Sequence, residues 1–361
     1  MPSTDLIVRK DKPREGHWQP RDPAPLEAGE ARLQVETVAL TSNNVTYAVF
    51  ANFAGYWDHF PAADPKLGRV PHWGFATVSE STLEGLPLGT RVYGYLPVST
   101  DLVVKPVAFD KNGFTDGSAH RAKLPPFYSR FHLTANDIAY QDDFQDEQMI
   151  VRPLYATGWL IDDYLMSKET PPAQVIVSSA SSKTALAYAH KAARRDGIIL
   201  SGLTSEGNRA YVESTGFYSK VYTYDELDKL PLKGPAIYTD FLGNPEMRPK
   251  LEAALGDAFA GTLAIGATAW DALSDTSAFG KASTTAPVEQ FFAPGHADVC
   301  AKRLGPAEFF KAMNTDMTAF YPVARSMITS RHIKGENDIL NAWQTMVDGN
   351  VNPSEGLILE L

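Results

Sequence analysis

The chain carries a single cysteine, Cys300, among its 361 residues. One thiol excludes an intrachain disulfide and any zinc site built from several cysteines, and it fits a reducing compartment. No apolar run approaches the length of about 18 residues that a membrane-spanning helix requires. Met1 to Arg14 lacks the apolar stretch of a secretory signal. Positive charge is also scarce: 33 Lys and Arg against 43 Asp and Glu leave a net charge of -10. Neutralising a phosphate backbone takes clustered cations, so a nucleic-acid partner is not expected. The eight histidines are scattered, with no HxxxH or HxH pair, so no metal site is expected either. These absences describe a cytoplasmic protein acting on a small molecule, with neither membrane nor nucleic acid as partner.

What remains is ordinary globular composition, 44% hydrophobic and 21% charged, on a chain long enough for two domains. Up to about Asp110 the pattern is β-rich. Ala31 to Leu40 reads as a strand, Phe75 to Glu80 and Thr90 to Tyr95 as shorter ones, and Asn43 to Trp73 as a long irregular aromatic stretch. The middle changes period. Gln174 to Ser178 is a short β-branched run, and Ser182 to Arg195 has helical spacing, with Leu186, Ala189 and Ala193 on one face. Strands at Gly197–Leu203, Lys220–Tyr224, Ala236–Asp240 and Thr262–Gly266 alternate with helices at Glu206–Thr215 and Pro245–Leu255. Such alternation implies a parallel sheet covered on both faces. After Phe291 the pattern is helical, closing on a strand at Gly356–Leu361.

Several stretches carry a resemblance, in the same order along the chain: ETVALTSNNVTY, PHWGFATVSES with GTRVYGYLPVSTDLVVKP, VIVSSASSKTALAYAHKAAR, ILSGLTS, GTLAIGAT and NAWQTMVDGNVNPSEGLILEL. The chain resembles the zinc-independent medium-chain dehydrogenase/reductase superfamily, nearest its quinone-reductase-like and enoyl-reductase-like members. The resemblance implies an α/β protein with a GroES-like β-barrel domain plus a Rossmann domain with a doubly wound parallel sheet. The expected boundaries are 1–150 for the GroES-like catalytic domain, completed by 290–361, and 151–289 for the Rossmann domain. It also implies an NADPH-dependent oxidoreductase and, by analogy, a homodimer. Zinc-dependent relatives carry metal ligands where this chain reads Pro71-His72-Trp73-Gly74-Phe75, and the ligating cysteine is missing.

A dinucleotide site brings the backbone close to a pyrophosphate at a helix N-terminus, usually with glycines. Here the turn from Ser178 to Thr184 contains no glycine. Ser179, Ser181, Ser182, Lys183 and Thr184 are the candidate phosphate contacts, with helix capping as the plain alternative for Ser181 and Ser182. SSKT lacks the glycines that a P-loop needs. NAD sites place an acid at the end of the second strand, but this strand ends in Thr204 and Ser205. Together with Arg209 these would suit the 2′-phosphate of NADPH, although Glu206 would repel it. A solvated Arg209 is the alternative. By the resemblance, Gly266 ends a strand beside the nicotinamide.

Without a Lewis acid, hydride transfer to a carbonyl needs hydrogen-bond donors for the developing oxyanion. The candidates are Tyr47, Tyr56 and Asn44 as catalytic groups, and Asn43, Phe53, Trp57 and Tyr155 as substrate contacts. Each aromatic could equally be core. Phe50, Phe53, Tyr56, Trp57 and Phe60 would suit a small apolar substrate with a carbonyl or activated C=C. A non-redox lyase or isomerase on the same fold, or a non-catalytic nucleotide-binding protein, are the competing readings. Asp142, Asp143, Asp146 and Glu147 read as a solvated acidic turn. Cys300 shows no catalytic partner in the sequence.

Overall fold

A computed structural model describes residues 3–266 and 284–361. The elements run β1 (Ser3–Arg9), β2 (Gly16–Arg21), β3 (Ala31–Leu40), α1 (Ser42–Ala54), β4 (Leu67–Gly68), β5 (Pro71–Ser81), β6 (Arg91–Pro97), β7 (Asp101–Val104), β8 (Pro106–Asp110), β9 (Gly113–Asp116) and β10 (Arg130–Leu133). Helix α2 (Gln145–Met166) leads to β11 (Gln174–Val177), α3 (Lys183–Ala192), β12 (Ile199–Thr204), α4 (Glu206–Ser214), β13 (Lys220–Thr223), β14 (Ala236–Asp240), α5 (Met247–Leu255) and β15 (Phe259–Ala264). Then follow β16 (Val288–Gln290), α6 (Ala293–Leu304), α7 (Pro306–Met327), β17 (Thr329–Lys334), α8 (Glu336–Val347) and β18 (Glu355–Glu360). The chain divides into two units, 1–150 with 328–361, and 151–327.

In the first unit a small antiparallel sheet has the order β2-β1-β4, and a larger one runs β17-β18-β3-β5-β6-β10-β9-β8 with β7 also on β3. All pairs of the larger sheet are antiparallel except β17 with β18. The expected irregular stretch after β3 begins instead as a helix. Thr41 is the N-cap of α1 and Asn44, at its third position, closes a capping box back onto Thr41, which satisfies donors that a helix start otherwise leaves bare. No proline or glycine interrupts the segment until Gly55, whose left-handed φ of 74° ends it.

In the second unit six strands lie in the order β13-β12-β11-β14-β15-β16, every pair parallel. Read from the first strand of this unit, that order is 3-2-1-4-5-6, the doubly wound arrangement. Side chains of β11 alternate between its two faces: Val175 and Val177 join one buried cluster with Tyr188 and Leu263, and Ile176 another with Leu203, Tyr238 and Leu251. Three consecutive apolar residues, Val175 to Val177, facing alternate sides are what a sheet covered on both faces demands.

One boundary differs from the sequence expectation. The return to the first unit begins at Ile328, not at 290, so β16, α6 and α7 stay with the second unit. The apolar face of α7 holds them there. Phe320 packs on the rings of His190 (4.6 Å) and Tyr155 (5.1 Å), and Phe309 on Trp159 (5.6 Å).

Candidate functional site

The doubly wound sheet reverses its winding between β11 and β14, and such sheets as a rule bind ligands outside the carboxyl ends of the strands at that point. The chain crosses that edge at Ser178 to Ser182. Ser179 sits at φ 46°, in the left-handed region, where a nucleotide fingerprint would place glycine. Its N–H donates to the Tyr224 hydroxyl at 3.0 Å. Ser178 is fully buried and its hydroxyl accepts from the N–H groups of Phe241 and Leu242, both at 3.0 Å, tying the ends of β11 and β14 together. Ser182 is the N-cap of α3 and accepts from the Ala185 N–H at 3.4 Å. Lys183 and Thr184 open that helix. Beside the turn, a Cβ on Gly202 would lie 3.0 Å from the Tyr218 ring and 3.2 Å from Ala180. Glycine there lets β12 pass close under the turn.

The same edge carries the other expected contacts. Thr204 is buried at the end of β12, Ser205 stands exposed at the N-cap position of α4 without a side-chain capping bond, and the Ser181 hydroxyl accepts from Asn208 Nδ2 at 3.2 Å. Gly266 donates to the Asp240 carbonyl at 3.2 Å, which places it beside the end of β14. Asp240 itself is fully buried. It accepts from Arg248 Nη2 (2.9 Å), the Tyr238 hydroxyl (3.0 Å) and the Gly243 N–H (2.8 Å), while burial pushes its carboxyl upward. Neither Tyr224 nor the Asp240–Arg248 pair carried any motif by which the sequence alone could single it out.

Arg209 is not the open cation that the sequence suggested. Its guanidinium pairs with Glu206 at 3.2 Å and hydrogen-bonds Glu226. Glu226 also accepts from Lys229 (2.8 Å) and the Thr223 N–H (3.0 Å), and these contacts hold its carboxyl down at about 2. The second partner comes from the β13 end, seventeen positions on, too far along the chain for helical spacing to reveal.

In the first unit, Tyr47 and Tyr56 are neighbours, with ring centroids 4.6 Å apart. Two further tyrosines complete the group. Tyr95 of β6 lies 5.6 Å from Tyr47 and 4.9 Å from Tyr128, and the Tyr128 hydroxyl meets that of Tyr56 at 3.5 Å. Trp73 Nε1 donates to the Tyr47 hydroxyl at 3.4 Å. His59 stands 5.1 Å from Tyr95 and 5.3 Å from Tyr128. Burial raises all four phenols, and Tyr95 and Tyr128 rise well above the ordinary tyrosine range. Burial, with the charge of Arg121 behind it, lowers His59 to about 3. At neutral pH the group is therefore four protonated phenols and a neutral imidazole. It offers hydroxyl donors and no charge, which suits an oxygen that gains negative charge during a reaction.

The remaining candidates fall elsewhere. Asn44 uses both ends of its amide on backbone, accepting from the Thr41 N–H at 2.7 Å and donating to the Pro71 carbonyl at 2.8 Å. It is a capping residue, and its catalytic assignment is withdrawn. Asn43, half-buried one position earlier, lies one helical turn before Tyr47 on the same face of α1. Trp57 turns away from the tyrosines and packs against Gly68, where a Cβ would come within 2.4 Å of its ring. Tyr155 belongs to the second unit's core, its hydroxyl 3.3 Å from His190 Nδ1. The Phe53 side chain lies outside the described residues. His72 is buried and bonded to the Val70 carbonyl at 2.9 Å, in a core position and not a ligand set.

A family model described as "Protein of unknown function (DUF2855)" matches residues 38–352. The chain belongs to that family. No curated protein matches its sequence. Solved structures do share its fold over nearly the whole length. CurA from Vibrio vulnificus in complex with NADPH is 12% identical, with a TM-score of 0.63 over 99% of this chain and 98% of that one. The CurF ER cyclopropanase from the curacin A biosynthetic pathway is 13% identical, with a TM-score of 0.63 over 99% of each chain. The yhdH oxidoreductase from Salmonella enterica in complex with NADP is 14% identical, with a TM-score of 0.53 over 99% of each. This member of the DUF2855 family has the fold of the zinc-independent medium-chain dehydrogenases/reductases, a GroES-like unit with a Rossmann-like one.

Proposed function

We propose that the chain is an NADPH-dependent reductase that delivers hydride to a carbonyl or activated C=C of a small apolar substrate. The observation that carries the reading is the crossing from β11 to α3: a turn with a left-handed residue, at the winding reversal of a 3-2-1-4-5-6 sheet, directly before a helix N-terminus. Similar folds solved with NADPH and with NADP support a nucleotide there. NADPH is preferred over NADH because β12 ends in Thr204 and Ser205 without an acid. Arg209 would leave Glu226 for the 2′-phosphate, one charged pair replacing another. The nicotinamide supplies the hydride when bound. The protein's own contribution is hydroxyl donors: Tyr47 and Tyr56 would hold the substrate oxygen, and a phenol would pass it a proton to be regained from water. Asn43 would orient Tyr47.

Calorimetric titration with NADPH and then NADH tests the reading. NADPH is expected to bind at about micromolar strength. Arg209→Ala should reduce its advantage over NADH by roughly 10- to 100-fold, the span of one charge-assisted contact. Glu226→Gln, which releases Arg209, should strengthen NADPH binding. With binding in hand, NADPH oxidation over a panel of enones and aldehydes should fall in Tyr47→Phe or Tyr56→Phe. If neither nucleotide binds, the reductase reading is lost. Binding without turnover over the panel would favour the non-catalytic alternative.

A further inference from the structure

Three side chains of metal-ligand type meet in the second unit. Asp163 comes from α2, and His296 and Cys300 from α6. Their ligand atoms all lie within 4.8 Å of one another. His296 Nε2 is 2.9 Å and Cys300 Sγ 3.1 Å from the same carboxylate oxygen, Asp163 Oδ2. The four-residue spacing of His296 and Cys300 puts both on one face of α6. Arg303, one turn further, donates to the other oxygen, Oδ1, at 2.5 Å. The Tyr164 ring stands edge-on to His296 at 5.2 Å.

We propose that Asp163, His296 and Cys300 form a binding site for a zinc-like divalent cation, distinct from any catalytic metal position of the fold. The donor set argues for this identity. Thiolate, imidazole and carboxylate together suit zinc, which takes four-coordinate N, S and O sites, and they do not suit magnesium or calcium. Size argues the same way. Bond lengths of about 2.0–2.3 Å at tetrahedral angles separate neighbouring ligand atoms by roughly 3.3–3.6 Å. The contacts now at 2.9 and 3.1 Å would need to open by only about half an ångström. Arg303 Nη2 donates to Oδ1 and also lies 4.0 Å from the Cys300 sulfur; on metal binding it would keep the carboxylate, as an outer partner that orients a ligand does, and give up the sulfur to the metal. The fourth coordination position would be taken by water. Binding exchanges the thiol proton for the metal: the S–H bond breaks, a sulfur–metal bond forms, and one proton passes to the buffer. No oxidant or reductant is involved.

The composition makes the test clean, because Cys300 is the only cysteine in the chain. Any thiolate-to-metal signal must come from this site. The reduced, chelator-treated full chain is titrated with cobalt(II) and followed by absorption. The expected result is a near-ultraviolet thiolate-to-cobalt charge-transfer band with visible bands of tetrahedral type, saturating at one equivalent and displaced by zinc. Cys300→Ser should remove the charge-transfer band while circular dichroism shows the fold intact. His296→Ala should weaken cobalt binding by roughly tenfold or more. Proton release on metal addition, read with a pH indicator in weak buffer, gives a second measure that needs no variant. Absence of the charge-transfer band in folded, reduced protein at excess cobalt overturns the proposal. So does a band whose affinity is unchanged in His296→Ala.

Discussion

Ser179 is the residue on which the turn from β11 to α3 depends. A non-glycine residue at φ 46° is held in a conformation that costs roughly 1–2 kcal/mol relative to the right-handed region, and such strain tends to persist where function fixes the backbone. Ser179→Gly should therefore leave stability unchanged or raise it by up to about 1 kcal/mol. Ser179→Val, β-branched in the same region, should lower it by roughly 1–3 kcal/mol. Urea unfolding of the two variants checks this, and equal destabilisation by both would show that the hydroxyl, not the dihedral, matters. The residue types of the turn were plain in the sequence. That one serine would replace glycine in the left-handed position was not, because φ is set by the two strand ends that the turn must join. Asn44 shows the opposite error. Its type fitted a catalytic role, and only the packing of α1 against the Pro71 carbonyl showed both amide ends in use.

At the scale of elements, α2 and α3 touch at a position that sequence periodicity does not mark. A Cβ on Gly158 would fall 2.6 Å from the Tyr188 backbone nitrogen and 2.9 Å from its Cα. These are backbone atoms, which cannot swing aside. Gly158→Ala should push the helices apart and destabilise by roughly 1–3 kcal/mol, despite alanine's better helix propensity. Thermal unfolding reads the effect, and a rise in midpoint would refute the close contact. The alternation of strands and helices from Gln174 to Ala264 followed the sequence pattern closely, since a covered parallel sheet imposes apolar runs that tertiary context cannot easily hide. Helix α1 did not, because aromatic side chains at Tyr47 and Phe50 obscure its period. Its start rests on a capping box that involves only Thr41 and Asn44.

Over the whole molecule, three histidines are buried in the neutral form. Burial lowers His59 to about 3, and His72 and His190 each to about 4, from an ordinary value of 6.5. Below pH 6.5 the unfolded chain binds protons that the folded chain refuses, so folding stability falls as the pH drops. Each imidazole should cost about 1 kcal/mol between pH 7.5 and 5.5, somewhat less for His190, which is nearer solvent. His332 has the opposite sign. Hydrogen bonding to Asp146 raises it, so its contribution is present at low pH and is lost as the pH rises. The net expectation is a urea midpoint that declines well before the carboxylates titrate, and His72→Gln should flatten part of that decline. A midpoint constant from pH 7.5 to 5.5 would contradict the buried neutral state of these rings.

Among the described residues no helix is long and apolar enough to cross a membrane, in keeping with the absence of long apolar runs. By itself the sequence determined what depends on local pattern: the strands and helices of the parallel sheet, the lack of a cysteine-rich metal site, and a polar, glycine-free turn between β11 and α3. Only the tertiary structure decided which side chains meet. It joined Tyr95 and Tyr128 to Tyr47 and Tyr56, closed Glu226 onto Arg209, kept α6 and α7 with the second unit, and brought Asp163 to His296 and Cys300. The physical reason is distance along the chain. Periodicity and capping act over a few residues, whereas these meetings join groups separated by seventeen to more than a hundred positions, whose proximity exists only once the sheets and helices have packed.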